Sequence, residues 1–172
     1  MRVLGIDPGT ARLGWGVVEH NRGESSLVDF GALYTPAGMS EPERLALLYD
    51  ELMQIRETFR PDAAAVEKLY FGQNSRTAML VGQARGIVML ALAKGRLPYV
   101  EMSPAEVKKA VVGYGRADKR QVQLMVQRLL RMDEYPKPDD AADALAIAIC
   151  GAEFLRFQRV QESARIPLGD RS

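Results

Sequence analysis

PDDAADALAIAIC, residues 138–150, opens on carboxylates and continues as alanine, leucine and isoleucine. A helix this apolar on nearly every side must be buried on most of its faces. Asp140 and Asp143 are three residues apart, so they share one helix face. Acids in a first turn complement the helix macrodipole by about 0.3–1 kcal/mol. That capping role accounts for Asp139 well and Asp140 adequately. It accounts poorly for Asp143, a full turn in, because charge set against an apolar surface is costly unless something pairs with it. A cation between the two acids would supply the missing partner, which directs attention to other acids that could meet them.

The rest of the chain supplies a scaffold for such a meeting. "RVLGID" (2–7) has the character of a strand, "DPGT" that of a tight turn, and 14–20 and 27–35 those of two more strands. Short connections between the three predict an antiparallel meander. Residues 40–59 form an amphipathic helix, with Leu45, Leu48, Tyr49, Leu52, Ile55 and Phe59 on one stripe and Ser40 and Glu43 placed for a capping box. "AAAVEKLY" (63–70) is a short buried strand, followed by the polar loop "FGQNSR". A helix rich in small residues runs from about 74 to 94, "LPYVEM" is a fifth strand, and Ser103, Pro104 and Glu106 start the next helix. "VVGYGRAD" breaks it, "KRQVQLMVQRLLRM" is a further helix, and the quoted segment is the last. The order indicates one α/β domain over residues 1–157, with helices on both faces of a mixed five-stranded sheet, three strands antiparallel and the rest parallel. Residues 158–172 are expected as a flexible, polar tail.

Composition sets further bounds. The chain of 172 residues is 47% apolar and 26% charged, ordinary values for one globular domain. Its single cysteine, Cys150, lies in an apolar run and reads as a packing residue. The start lacks the long apolar core of a signal peptide, and no run is long enough to span a bilayer, so a cytoplasmic location is expected. Net charge is only +1, yet it is unevenly spread. Seven basic residues fall between Val107 and Arg131, beside five acids between Met132 and Asp143. A basic block next to an acidic cluster suits metal-dependent chemistry on a polyanion; two solvated helix faces are the plainer alternative.

Asp7 ends the first strand and Glu67 the fourth. If those strands are parallel neighbours, the two acids stand about 5 Å apart across the ladder, at the strand ends where α/β sites form. With Asp140 and Asp143 packed over that edge, four carboxylates converge. Such a donor set selects Mg²⁺ or Mn²⁺. Two ions ~4 Å apart can activate water and stabilise the leaving oxygen of a phosphodiester. His20, the only histidine, sits beside a turn and is expected at the surface, so zinc chemistry is disfavoured.

Taken together, "GIDPGTARLGWGVV", "AVEKLYFGQN", "GQARG", "VKKAVVGYGRADKRQVQLMV" and "DAADALAIAI" resemble the RuvC family of Holliday junction resolvases, in family order across nearly the whole chain. The resemblance implies a ribonuclease H-like fold and a homodimer. It implies symmetric cutting of four-way DNA junctions with Mg²⁺ or Mn²⁺, leaving 5′-phosphate and 3′-hydroxyl ends, and cooperation with the RuvA–RuvB branch-migration machine. It matches Asp7, Glu67, Asp140 and Asp143 to the catalytic acids. Spacing alone leaves Asp139 and Asp140 as alternatives, and the family's "DAAD" pattern favours Asp140. Lys108 and Lys119 match lysines implied in catalysis and phosphate contact, with Lys109, Arg116 and Arg120 as further DNA-contact candidates. Tyr70 matches an aromatic that enters the junction centre. Phe71 could also stack on a base, and Gln73, Asn74 and Arg76 could reach backbone or bases. The small-residue helix at 74–94 is a candidate dimer surface, with a buried core helix as the equal alternative. Rival readings are a phosphate-binding ATPase of the actin–hexokinase type, which requires a duplicated domain, a non-catalytic junction-binding module, and a nuclease of the same fold acting on RNA ends.

Overall fold

The computed structural model describes residues 1–68 and 75–165, without side-chain detail at 75–77 and 164–165. Ten elements follow one another: β1 (Arg2–Asp7), β2 (Arg12–Asn21), β3 (Glu24–Tyr34), α1 (Glu41–Phe59), β4 (Ala63–Glu67), α2 (Ser75–Lys94), β5 (Tyr99–Met102), α3 (Pro104–Val112), α4 (Lys119–Leu129) and α5 (Asp139–Arg165). The sheet order is β3-β2-β1-β4-β5. The first three strands are antiparallel neighbours, while β1–β4 and β4–β5 are parallel. The expected α/β layout is therefore the observed one.

Strand alternation divides the interior in two. Leu4, Ile6, Ala64 and Val66 face α1 and α2, where Leu48, Leu52, Val88 and Leu92 complete one core. Val3, Val18 and Ala65 face α3, α4 and α5, where Val107, Val122, Leu145 and Ile149 complete the other. By the two-residue period of a strand, Asp7 shares the face of Val3 and Gly5, and Glu67 that of Ala65. Both acids are thus directed to the α5 side.

Helix α5 lies unusually close to the sheet because the strands beneath it carry glycine. A Cβ at Gly5 would collide with the carbonyl oxygen of Ala144, and one at Gly14 with that of Asp140. One at Gly16 would strike the Leu145 side chain. The helix answers with its own small residues: Ala141, Ala144, Ala148 and Ala152 are buried, and Gly151 sits against Ala65. Alanine also has the highest helix propensity, so its part of the small face costs the helix nothing locally, while Gly151 costs about 1 kcal/mol relative to alanine.

Caps position the shorter helices. The backbone N–H of Ser103 donates to the Glu106 carboxylate at 2.7 Å, and the Ser103 hydroxyl accepts from the Glu106 N–H at 3.2 Å. Asp118 and Gln121 make the same reciprocal pair at the start of α4, at 2.9 Å each way. At α1 the Glu43 carboxylate accepts the Ser40 N–H at 2.9 Å.

Two features differ from expectation. His20 is buried, at 5% exposure, because β2 runs on to Asn21 and its α5 side is covered by that helix. Its Nδ1 lies 3.0 Å from the Ser25 hydroxyl and its Nε2 lies 3.8 Å from Glu153. Burial holds its pKa below the ordinary value, ahead of the opposing pull of Glu153. The second is the C-terminal boundary. Where a tail was expected from 158, α5 continues to Arg165, its polar residues being compatible with an exposed helix. Cys150 is buried 3.4 Å from the Met102 sulfur, and burial pushes its thiol up to about 12. Among the described residues, no helix is long and apolar enough to cross a membrane.

The close approach of α5 makes a direct prediction. Gly14→Ala should destabilise the fold by about 1–3 kcal/mol, the usual cost of forcing a methyl into packed backbone. A lowered urea midpoint with an unchanged m-value is the expected result. An unchanged midpoint would mean that the helix does not bear on the strand there.

Candidate active site

The parallel pairing Ile6↔Val66 places Asp7 and Glu67 one step further, side by side at the C-terminal ends of β1 and β4. The first turns of α5 cross above them. Asp7, Glu67 and Asp143 line one cavity of about 250 Å³, together with Lys108 and Lys119 and an apolar wall that includes Val107, Val122 and Ile147. Asp140 lies beside this cavity rather than in its lining. Its Oδ2 is buried without a hydrogen-bond partner among the described residues. The Arg12 guanidinium is 3.5 Å from that oxygen, within charge attraction but not hydrogen-bonded to it.

The electrostatics record crowding of like charge. Burial, then the neighbouring charges of Glu67, Asp143 and Asp140, push Asp7 up to about 7, while Lys119 pulls the other way. Glu67 is raised by burial and by Asp143. Asp143 is also raised, burial outweighing the lowering hydrogen bond from Lys119. Lys119 Nζ lies 3.1 Å from Asp143 Oδ2 and 3.3 Å from Asp139 Oδ2. Burial opposes its charge, but the two acids hold its pKa above the ordinary value. Asp139 is exposed, and the Gln123 amide and Lys119 keep its carboxyl below the usual range.

These residues fit a hard divalent cation. Every candidate donor is a carboxylate oxygen, one buried oxygen of Asp140 lacks a hydrogen-bond partner, and the site's negative charge exceeds what Lys119 and Arg12 offset. Among the described residues, however, no three acidic, histidine or cysteine side chains are grouped closely enough to hold an ion as they stand. Lys119 and Arg12 engage two of the four acids in the meantime.

The remaining candidates have different places. Lys109, Arg116 and Arg120 are exposed on α3, on the α3–α4 connection and on α4. Tyr70, Phe71, Gln73 and Asn74 lie outside the described residues, as does the side chain of Arg76 in the first turn of α2. Two contributors were not singled out from sequence. Arg12 shows its role only through the fold, since its partner Asp140 is remote in the chain. Gln123 fixes Asp139 at 2.9 Å.

A family profile described as "Crossover junction endodeoxyribonuclease RuvC" matches residues 3–151. The chain belongs to this RuvC family. The crossover junction endodeoxyribonuclease RuvC of Chloroflexus aurantiacus is 61% identical over 152 residues, covering 88% of this chain and 93% of that one. The same-named protein of a Roseiflexus species is 57% identical over 149 residues, covering 87% and 89%. Among solved structures, T. thermophilus RuvC in complex with Holliday junction substrate superposes with a TM-score of 0.87 at 36% identity, covering 92% and 96%. Membership makes the chain a RuvC-type nuclease of ribonuclease H-like fold, dependent in general terms on divalent metal.

The raised Asp7 carboxyl generates a pH test. Its pKa is higher folded than unfolded, so the folded state binds the extra proton between about 4 and 7. This contribution is present at low pH and is lost as pH rises through about 7. In chelator at pH 8, Asp7→Asn should therefore be more stable than wild type, by at most about 4 kcal/mol. Added Mg²⁺ should raise the melting temperature of wild type and leave the variant nearly unmoved. A variant no more stable than wild type in chelator would remove the charge crowding.

Proposed function

We infer that this chain resolves four-way DNA junctions, as a homodimer that cuts two strands symmetrically by divalent-metal-assisted phosphodiester hydrolysis. The observation that carries the reading is Asp7, Glu67 and Asp143 lining one cavity with Lys108 and Lys119, in a chain of this family. Its T. thermophilus relative has been captured on a Holliday junction substrate.

Asp7, Glu67, Asp140 and Asp143 are the residues that would hold the metal, Mg²⁺ with Mn²⁺ as a substitute, as two ions. Bound there, the ions would supply Lewis acidity and an activated water. The chain's own groups do the rest. Deprotonated Asp7 and Glu67 supply negative charge at the sheet edge, and the wall formed by Val107, Val122 and Ile147 limits bulk water on one side. Lys108 and Lys119 reach the same cavity from α3 and α4 and meet the scissile phosphate. Lys109, Arg116 and Arg120 extend the positive surface along the DNA backbone, positioning the duplex without reading sequence. Tyr70 would stack on bases at the junction centre, as the family resemblance implies, with Phe71 as a second stacking candidate and Gln73, Asn74 and Arg76 as contacts to backbone or bases.

A two-fold dimer matches two symmetric cuts. Its surface is α2, where exposed Met79 and Leu90 flank Gly82 and Gly86, which have open space against them among the described residues. Family membership supports, as part of this proposal, work beside the RuvA–RuvB machine in the bacterial cytoplasm.

The decisive experiment incubates the protein with a synthetic four-way junction, with and without Mg²⁺. Paired nicks with 5′-phosphate ends are expected only with the metal. Asp7→Asn should bind the junction and leave it whole; cleavage at the wild-type rate per bound complex would reduce Asp7 to a structural residue. Lys119→Ala should lower the salt slope of junction binding by about one counterion, and an identical slope would take Lys119 out of the DNA contact. Leu90→Glu should yield a monomer by light scattering that still folds but no longer makes paired cuts. A variant that remains dimeric would move the dimer surface elsewhere.

A further inference from the structure

The ammonium of Lys119 is shared between two aspartates with different surroundings. Asp143, 3.1 Å away, lines the cavity with Asp7 and Glu67. Asp139, 3.3 Å away, does not line it; it is 61% exposed and takes a hydrogen bond of 2.9 Å from the Gln123 amide on α4. The backbone of Lys119 is fixed at the first turn of α4 by the Asp118–Gln121 capping pair. Movement of the ammonium therefore falls to its flexible side chain, with both acids within reach.

We propose that Lys119 is a resident cation of the site, and that Asp139 is the positioning residue that retains it when a divalent ion takes Asp143. This rests on the metal-dependent reading above. An ammonium and a divalent ion on one carboxylate repel each other at ~4 Å, and in a partly buried site that repulsion is poorly screened. Ion entry therefore loosens the Lys119–Asp143 pair. Without Asp139 the ammonium would have to return to solvent or stay and compete. With Asp139, whose side chain Gln123 holds in place, it moves a short way and remains beside the phosphate position. The doubled aspartate at 139–140 thereby divides into two jobs, Asp140 for the ion and Asp139 for the lysine. Lys108 also lines the cavity but makes no ion pair among the described residues, which makes it the charge control.

The test titrates Mn²⁺ into the full chain without DNA and counts free Mn²⁺ by electron paramagnetic resonance. Lys119→Met should tighten Mn²⁺ binding about three- to fivefold more than Lys108→Met, the scale of a half-exposed ion pair. Asp139→Asn should weaken binding severalfold in the wild-type background, have little effect in the Lys119→Met background, and be rescued by Asp139→Glu. Equal tightening by the two lysine variants would overturn the resident-cation role, since net charge alone would then explain it. An Asp139→Asn effect of the same size in both backgrounds would overturn the positioning role. A wild-type chain that binds no Mn²⁺ would overturn the metal-site reading itself, an outcome distinct from the other two. Circular dichroism of each variant confirms that the fold is retained.

Discussion

The near-contact between the backbone of α5 and the backbone of β1 and β2 is the constraint on which the site depends. Gly5, Gly14 and Gly16 remove the side chains that would hold the helix at ordinary helix-to-sheet distance, and the alanines of α5 fill the space left. The N-terminal turn is thereby carried over the ends of β1 and β4. Four acids from three separated segments can then influence one another, as the shift of Asp7 records. Burying like charges is unfavourable in itself. The fold tolerates it because the two cores on either side of the sheet supply the stability, and because Lys119 and Arg12 offset part of the charge.

Much of this was legible in the sequence, for identifiable reasons. Asp7 and Glu67 could be placed because each ends a short buried run and parallel neighbours bring strand ends together. Helices on both faces followed from the order of elements, whereas which helix covers which face was not legible, because an apolar stripe does not say which side of the sheet it meets. Arg12 and Gln123 were not legible, because a single basic or amide side chain acquires meaning only from a partner that folding brings near. His20 was misjudged because a turn beside a histidine says nothing of a helix that covers it from the far end of the chain. The end of α5 was missed because the stretch from Gln158 to Arg165 is mostly polar, and composition alone does not distinguish an exposed helical turn from a tail.

Membership of the RuvC family and the geometry reinforce each other without overlapping. The family match covers residues 3–151 and identifies the chemistry class. The geometry adds what a family match does not carry, namely which acids share a cavity, which side chain opposes their charge, and which neighbour holds that side chain. Asp139 illustrates the difference. It neighbours Asp140 in sequence, yet in the folded chain it points to Lys119 and Gln123 rather than to the acids at the sheet edge.

Where Gly5 and Gly14 let strand backbone meet the backbone of α5, with little beside alanine methyls around the contact, that junction has almost no slack. A cushion of leucines can be re-cut by small substitutions that nudge a helix by fractions of an ångström, whereas such a contact offers little to trim. Fine adjustment of this centre must therefore come from limbs that arrive from outside the seam, such as the long reaches of Lys119 from α4 and Arg12 from the edge of β2. The acids are the fixed jaw, and the cations are the parts free to move.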